Sequence, residues 1–267
     1  MRRRLSFRNE RVLYFRKCDI TEEKIISIYN ENAKFPVYKS KYWWGDGWDE
    51  LSYGKEFDFS KPFFEQFEEL LNKVPRFPLA VEEEKMENSP YTNACGALKN
   101  CYLVFNADYN EQCMYGAGIS RCFDCIDCLK TIESEASYEL VSCKNCAFSS
   151  YLQNCVNCSD CNFCQNLIGC KDCFGSVNLR NKKFYFMNQK CTKEVYERKI
   201  TEIYKNHSLS NLRKLFTEFS KKIPTKYGTI INTESSTGDY ISRSKNIKEC
   251  FDCENSSRLL ARLSCRR

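Results

Sequence analysis

The stretch CVNCSDCNFC at residues 155–164 carries a cysteine at every third position. Closely spaced thiols are typical of zinc and iron–sulfur sites, because thiolates are good ligands for both. The best-spaced set is Cys143, Cys146, Cys161 and Cys164, which reads C-x2-C-x14-C-x2-C and is close to a zinc ribbon. One interpretation of the sequence is therefore a zinc site held by these four residues.

The other interpretation is that the cysteines line a narrow core. The same spacing recurs at Cys125, Cys128, Cys143 and Cys146, so one pair of thiols would have to serve two sites. Leucine, valine, serine and alanine alternate with cysteine at equivalent positions, and a metal site does not accept leucine. Free cysteine packs as a small apolar residue. We therefore expect a core ladder without a cofactor, with zinc as the alternative. An iron–sulfur loop is disfavoured because no proline follows Cys164.

A triplet frame dominates the middle of the chain. The fifteen cysteines from Cys95 to Cys191 all fall in one frame of three. No charged residue occupies that frame between 95 and 179, so it should face inward while the other two frames face water. A flat strand alternates with period two, so a period of three needs a corner in nearly every triplet. The sequence thus predicts a mainly β fold built on a narrow, cysteine-rich β-solenoid.

The length of each coil is suggested by cysteines that recur eighteen residues apart, as at Cys125, Cys143 and Cys161. We therefore predict about eighteen residues per coil. Asn and Asp recur outside the cysteine frame, where they suit left-handed corners. Tyr102, Tyr138 and Phe174 recur in the same register.

Composition divides the chain into four predicted segments. These are an N-terminal basic and aromatic module at 1–88, the solenoid at 89–190, a helical insertion at 191–232, and the start of a second solenoid segment at 233–267. In the insertion, Thr192 is the predicted N-cap of a first helix, and a second helix ends before Pro224. The triplet pattern of the last segment should stop in SRLLARLSCRR, as in a truncated repeat.

The N-terminal module should contain an amphipathic helix in SKPFFEQFEELL, with Ser60 as its N-cap. Its apolar stripe is expected to face a core, with a groove of a partner as the alternative. The preceding segment KYWWGDGWDELSYG holds three tryptophans, which we expect to cap the open end of the solenoid. Stacking on nucleic-acid bases is the alternative.

A basic arm opens the chain, and the net charge is +6. Its candidate phosphate contacts are Arg2, Arg3, Arg4, Arg8 and Arg11, although a plain solvated arm is the simpler interpretation. The single histidine, His207, excludes zinc sites that need two or more histidines. No phosphate-binding glycine loop is present. These features favour a protein that is not an enzyme.

The cysteine count also bears on the compartment. MRRRLSFRNE lacks the apolar segment of a signal peptide, and no run is long enough to span a membrane. Nineteen cysteines cannot all pair within one chain. We expect reduced thiols, a cytoplasmic location and no membrane partner.

Long motifs carry a family resemblance: RRRLSFRNER (2–11), RKCDITEEKIISIY (16–29), YWWGDGWDELSYGKEFDFSKPFFEQF (42–67), YTNACGALKNCYLVF (91–105), NLRNKKFYFMNQ (178–189) and TGDYISRSKN (237–246). With these, nearly the whole chain resembles the cysteine-repeat proteins of candidate-phyla-radiation bacteria. The resemblance implies a zinc-ribbon-associated β-solenoid, zinc binding and no established reaction. Some members carry a CaiB/BaiF CoA-transferase label, which no residue here supports. Similar proteins have a zinc ribbon before RRLSFRNER and a longer second solenoid, so we expect a chain truncated at both ends.

The predicted function is a non-enzymatic structural or binding scaffold whose partner is an unidentified protein or nucleic acid. The alternative is a zinc-binding nucleic-acid or regulatory module that uses the set of four cysteines and the basic arm.

Overall fold

The computed structural model describes residues 11–260 and 263–266, and the protein is mainly β. The described residues form two compact units, 11–220 and 221–266. All the described helices lie in the first unit. None of them is long and apolar enough to cross a membrane.

The first unit starts with an antiparallel hairpin. Its strands and the short helical elements that follow are β1 (Tyr14–Lys17), β2 (Lys24–Ser27), α1 (Ser40–Trp43), a 3₁₀ turn (Glu50–Tyr53), α2 (Phe63–Lys73) and a second 3₁₀ turn (Glu83–Lys85).

Helix α2 differs from its prediction in both its start and its environment. Residues 58–61 form a turn in which the Lys61 N–H bonds the Asp58 carbonyl at 3.1 Å. Ser60, the predicted N-cap, instead bonds the Asp58 carboxylate, and Pro62 occupies the cap position. The apolar stripe that should face a core is exposed, with Phe64 80% accessible.

The centre of the first unit is a nine-stranded sheet whose spatial order follows the chain. Its strands are β3 (Asn93–Lys99), β4 (Phe105–Glu111), β5 (Phe123–Ile126), β6 (Glu135–Val141), β7 (Ser150–Gln153), β8 (Ser159–Gln165), β9 (Lys171–Phe174), β10 (Lys183–Phe186) and β11 (Gln189–Lys190). Strands β3 to β10 are parallel, and β11 returns antiparallel to β10.

The parallel strands pair at an offset of twelve residues, as in Asn93↔Phe105 and Cys161↔Cys173. The predicted repeat of eighteen is therefore wrong. Any multiple of three keeps a residue in the inward frame, so cysteine recurrences alone do not select the stacking distance. Eighteen corresponds to one and a half of the observed repeats and therefore does not match the strand pairing.

Each twelve-residue repeat contains four triplets, and each triplet has one inward, buried residue and two that face outward. The residue before each inward one has a positive φ, for example 54° at Asn154 and 52° at Asn157. Asn, Asp and Gly are frequent there because the left-handed conformation costs them least. The predicted corner in nearly every triplet is confirmed.

The core of the first unit is the column of inward side chains from Cys95 to Cys173. At its N-terminal edge, Val81 and Met86 pack against it, and Val81 bridges to Cys95. The tryptophans, which we expected to cap this edge, pack elsewhere. Trp43 donates to the Pro75 carbonyl at 3.0 Å, and its ring contacts the Phe77 ring. The cap is formed by residues 80–87, which supply backbone partners to the edge strand.

Two helices complete the first unit, α3 (Lys193–Asn206) and α4 (Leu209–Ser220). Thr192 caps α3 by accepting the Val195 N–H at 3.4 Å, which confirms the predicted N-cap. Tyr196 and Leu212 are buried and belong to one cluster with ring side chains of the repeats.

The second unit repeats the same pairing. Its strands are β12 (Ile230–Ile231), β13 (Gly238–Ser242), β14 (Lys245–Lys248), β15 (Cys250–Glu254), β16 (Ser257–Leu260) and β17 (Leu263–Arg266). Strands β13, β15 and β17 pair in parallel at twelve residues, and so do β14 and β16. The expectation that the pattern stops in SRLLARLSCRR is wrong, because that segment forms β16 and β17.

Candidate functional site

The ladder cysteines are buried and hydrogen-bonded to the main chain. Thiols along the column donate S–H to the carbonyl two residues earlier, as from Cys161 to the Ser159 oxygen at 3.2 Å. Many also reach the carbonyl nine residues ahead, as Cys164 reaches that of Cys173 at 3.5 Å. Of the eighteen cysteines whose side chains are described, seventeen are buried and Cys191 is half-buried.

The inward side chains have a second role, as acceptors. The main-chain bonds between repeats are donated largely by the two outward residues of each triplet. The inward N–H is accepted by the side chain one repeat earlier where that residue is polar. Asn110 accepts from Cys122 at 2.9 Å, and Ser134 accepts from Cys146 at 3.1 Å.

Sulfur fills the same role at cysteine positions. The backbone N–H of Cys125 bonds the sulfur of Cys113, and the backbone N–H of Ser176 bonds the sulfur of Cys164. Cysteine therefore suits the inward positions, because it is small and largely apolar and can accept a hydrogen bond. Leucine, valine and alanine also occupy these positions and leave the inward N–H of the next repeat without this side-chain acceptor.

The structure brings the predicted zinc ligands together only in part. Cys143 and Cys146 share an S–H···S contact, and Cys161 lies in the electrostatic field of Cys164. The two pairs belong to successive repeats and occupy different columns. They are linked through other sulfurs, in a chain of contacts that runs Cys146, Cys143, Cys155, Cys158, Cys161, Cys173.

A second group of contacting thiols lies nearer the N-terminus and comprises Cys101, Cys113, Cys122, Cys125 and Cys128. The repeat between the two groups has Thr131, Ser134, Ser137 and Leu140 inward and contains no cysteine. Among the residues that the structure describes, no set of three or more His, Cys, Asp or Glu side chains is arranged to hold a metal ion. Zinc binding by the four predicted ligands stays a prediction.

Burial controls the acidity of the thiols that have no S–H donor beside them. Loss of hydration raises the pKa of Cys95 to about 11 and raises that of Cys164 well above its ordinary value. Where thiols lie side by side, they shift each other's pKa. The pKa of Cys143 is lowered by its contacts with the Cys146 and Cys155 thiols, while that of Cys146 is raised by its contact with Cys143. A nucleophilic cysteine needs an accessible thiolate, and these thiols are enclosed.

Of the predicted nucleic-acid contacts, Arg2, Arg3, Arg4 and Arg8 lie outside the described residues, and Arg11 is exposed. The nucleic-acid hypothesis is therefore carried by a segment whose structure is not described.

A stripe of rings, the aromatic face, follows one side of the repeats. Its members are Tyr91, Tyr102, Met114, Tyr115, Ile126, Tyr138, Tyr151, Phe163, Phe174 and Phe186. The rings form two runs of contacts, one from Tyr91 to Tyr115 and one from Tyr138 to Phe186. The centroid distances include 5.4 Å for Tyr91–Tyr102, 4.4 Å for Tyr151–Phe163 and 5.4 Å for Phe174–Phe186. Tyr102, Tyr138 and Phe174 share one column as predicted, but they are three repeats of twelve residues apart and not two coils of eighteen.

The aromatic face is covered over only half its length. Helices α3 and α4 lie on its C-terminal half, where Tyr204 contacts Phe174 at 5.7 Å and Phe216 contacts Phe163 at 6.5 Å between centroids. In the N-terminal half, Tyr115 is 52% exposed. Sequence reasoning found only Tyr102, Tyr138 and Phe174 of this surface, because the other members line up with them only when the repeat is read as twelve residues.

Comparison with known proteins adds no family. A scan against protein-family models gives no match, and a search of curated proteins gives no significant match. The resemblance to the cysteine-repeat proteins stays a prediction.

Proposed function

We propose that the repeats of the first unit wind as a narrow β-solenoid with twelve residues per coil, and that the protein is a non-enzymatic scaffold that binds a partner on the outside of this solenoid. The observation that supports it best is that the inward and outward residues of each triplet differ in their chemistry. The inward frame holds thiols bonded to the main chain, and the outward frames hold an ordered, repeating surface.

The pairing supports winding because it occurs on every side of a repeat. Bridges at an offset of twelve join Tyr102 to Met114, Phe105 to Ala117 and Asp108 to Ser120, and a fourth joins Glu111 to Phe123. These positions are three residues apart and separated by corners. A chain that meets its next repeat at each of four successive corners has turned once around an axis.

Scaffolding is favoured over catalysis because the chemically reactive residues are enclosed. The ladder thiols from Cys95 to Cys173 are buried and many bond main-chain carbonyls, so they are enclosed whichever way their pKa is shifted. The single histidine, His207, is exposed and follows helix α3. No thiol of the described residues is paired with it as a general base would be.

The winding can be tested by the distance between two spin labels placed on the outer surface at 121 and 181 by unnatural amino acids, which leaves the native cysteines untouched. These positions are 60 residues apart, or five coils of twelve. Stacking at ~4.8 Å per coil gives a narrow distribution near 24 Å between backbone sites. Coils of eighteen residues would place the two labels about three coils apart, on different sides of the solenoid. A distance distribution centred below 20 Å would refute the proposal.

Thiol accessibility tests the scaffold against the enzymatic and zinc alternatives. In native buffer the ladder cysteines should resist maleimide, and after unfolding all nineteen thiols should react. Protein purified without added metal should contain no stoichiometric zinc and keep its fold in chelator. One ladder thiol that alkylates faster than free cysteine would favour catalysis. Stoichiometric zinc that is lost in a Cys143→Ser, Cys161→Ser variant would favour the four-cysteine zinc module.

A further inference from the structure

We propose that the exposed N-terminal half of the aromatic face binds an amphipathic helix of a partner protein, and that this helix presents an arginine between Tyr115 and Asp127. The inference rests on the proposed scaffold function and names the kind of partner that the scaffold takes.

The chain itself shows what the aromatic face accepts. Helix α4 lays Leu212 and Phe216 onto the rings of the C-terminal half. Arg213 of the same helix forms an ion pair with Glu139, and its guanidinium lies 4.7 Å from the centroid of the Tyr151 ring. Glu139 and Tyr151 are neighbours at twelve residues. The docked ligand is thus an amphipathic helix, held by apolar side chains and by one arginine between a carboxylate and a ring.

The same elements recur in the exposed half in mirrored order. Tyr115 and Asp127 are also neighbours at twelve residues and occupy the same column as Glu139 and Tyr151. Along this column an aromatic ring is followed by two carboxylates and a second ring, in the order Tyr115, Asp127, Glu139, Tyr151. An arginine at Tyr115 and Asp127 would have the contacts that Arg213 has two repeats further on, since guanidinium groups pair with carboxylates and stack on rings.

The apolar part of the site is present as well. The adjacent outward column carries Tyr102, Met114, Ile126 and Tyr138, of which Tyr102 and Met114 are 39% and 40% exposed. These side chains form the N-terminal part of the column whose later member Phe174 is covered by α3 and α4, and the polar residues Ser150 and Asn162 separate Tyr138 from Phe174. A contiguous exposed apolar patch bordered by charge is typical of a protein-binding site. The carboxylates at its centre select a basic helix over an acidic one.

The test uses the full chain and a peptide of the sequence SLSNLRKLFTEFSK, which is residues 208–221, labelled for fluorescence anisotropy. The wild-type protein, whose own α4 is in place, should bind the peptide. Tyr115→Ser and Asp127→Lys should each weaken binding about tenfold or more, as truncation of a central anchor does. Tyr109→Ser is the matched control, because Tyr109 is 63% exposed and has a φ of 58° close to the 55° of Tyr115, but lies on another side of the repeat. It should leave binding unchanged.

A second experiment reverses the charges of the peptide and of the protein. A peptide with glutamate in place of its arginine should bind wild-type protein weakly and should recover binding to Asp127→Lys. Binding that is unaffected by Tyr115→Ser would mean that the peptide displaces the chain's own α4, and the proposal would fall. Concentration-dependent dimerisation that Tyr115→Ser abolishes, without peptide binding, would replace the helix with a second copy of the chain. In either case the spin-label and thiol results would still decide the scaffold function independently.

Discussion

Cys164 gives the sharpest test of why this core contains cysteine. Its side chain is fully buried. Its sulfur donates to the Asn162 carbonyl at 3.2 Å and accepts the N–H of Ser176. It has no S–H···S contact of its own among those that link the neighbouring thiols, so substitution changes one column only. We compare Cys164→Ser, Cys164→Ala and Cys164→Val.

The expected order of stability follows from the two hydrogen bonds. Alanine loses about 1 kcal/mol of apolar burial and leaves the Ser176 N–H without an acceptor, which costs ~1–3 kcal/mol. Valine keeps apolar volume but also lacks the acceptor, and its extra methyl group must be fitted into a packed column at ~1–3 kcal/mol. Serine keeps both bonds, in the geometry that Ser149 already shows towards Cys161 at 3.2 Å, and should cost about 1 kcal/mol. Serine should therefore be the mildest change by ~1–2 kcal/mol.

An ordinary apolar core gives the opposite order, because an unpaired buried hydroxyl costs several kcal/mol. The measurement is urea unfolding followed by far-UV circular dichroism, with the free energies compared at constant m-value. Ala107→Ser is the reverse test, because it adds a hydrogen-bond acceptor at an inward position. Ala107 is 3% exposed, and its methyl group offers no acceptor atom to the Ile119 N–H. It should stabilise the protein by ~0.5–1.5 kcal/mol. If Cys164→Ser is the least stable of the three, the acceptor role of the ladder is refuted.

Three further outcomes test the repeat and its helices. Phe148 has a φ of 50° and is 60% exposed. Because asparagine tolerates that conformation better, Phe148→Asn should raise the free energy of unfolding by about 1 kcal/mol. A lower urea midpoint would contradict this. Deletion of 107–118, which is one whole repeat, should leave a protein that unfolds cooperatively. Deletion of 107–124 should not, since it removes one and a half repeats and breaks the strand pairing. If both variants unfold alike by circular dichroism, the result counts against twelve-residue stacking. Arg213→Ala removes an ion pair and a ring contact. A partly exposed pair contributes ~1 kcal/mol to local stability, so amide hydrogen exchange in α4 should become roughly threefold to tenfold faster. Unchanged exchange would show that the apolar contacts alone hold the helix.

The sequence predicts local features of this protein better than distant ones. The triplet frame identifies the inward residues, including the polar ones Asn110 and Thr131, which are 2% and 0% exposed. It does so because burial in this fold follows a strict period. Thr192 is recognisable as a helix cap because a cap bonds a residue three positions away. Both predictions depend on neighbours in sequence.

The failures concern partners far apart in the chain. The predicted repeat length is wrong because the frame is invariant to any shift by three, and the choice between twelve and eighteen is made by strand pairing. The predicted burial of the α2 stripe fails because an amphipathic pattern states only that one face is apolar, not what lies against it. The prediction that the tryptophan segment caps the edge of the repeats fails for the same reason, since residues 80–87 hold that position.

The inward hydrogen bonds change how the cysteine content should be interpreted. A column of thiols at metal-like spacing also meets a structural need, because an inward N–H gains a side-chain acceptor wherever the inward residue one repeat earlier carries sulfur or oxygen. Serine and asparagine occupy the same columns and make the same bond, as Ser134 does to Cys146 and Asn110 does to Cys122. A metal site would tolerate neither serine nor leucine among its ligands. The substitutions that already occur within the columns of this one chain therefore favour a hydrogen-bonding ladder, and they place the search for function on the outward residues, where the aromatic face is half covered and half open.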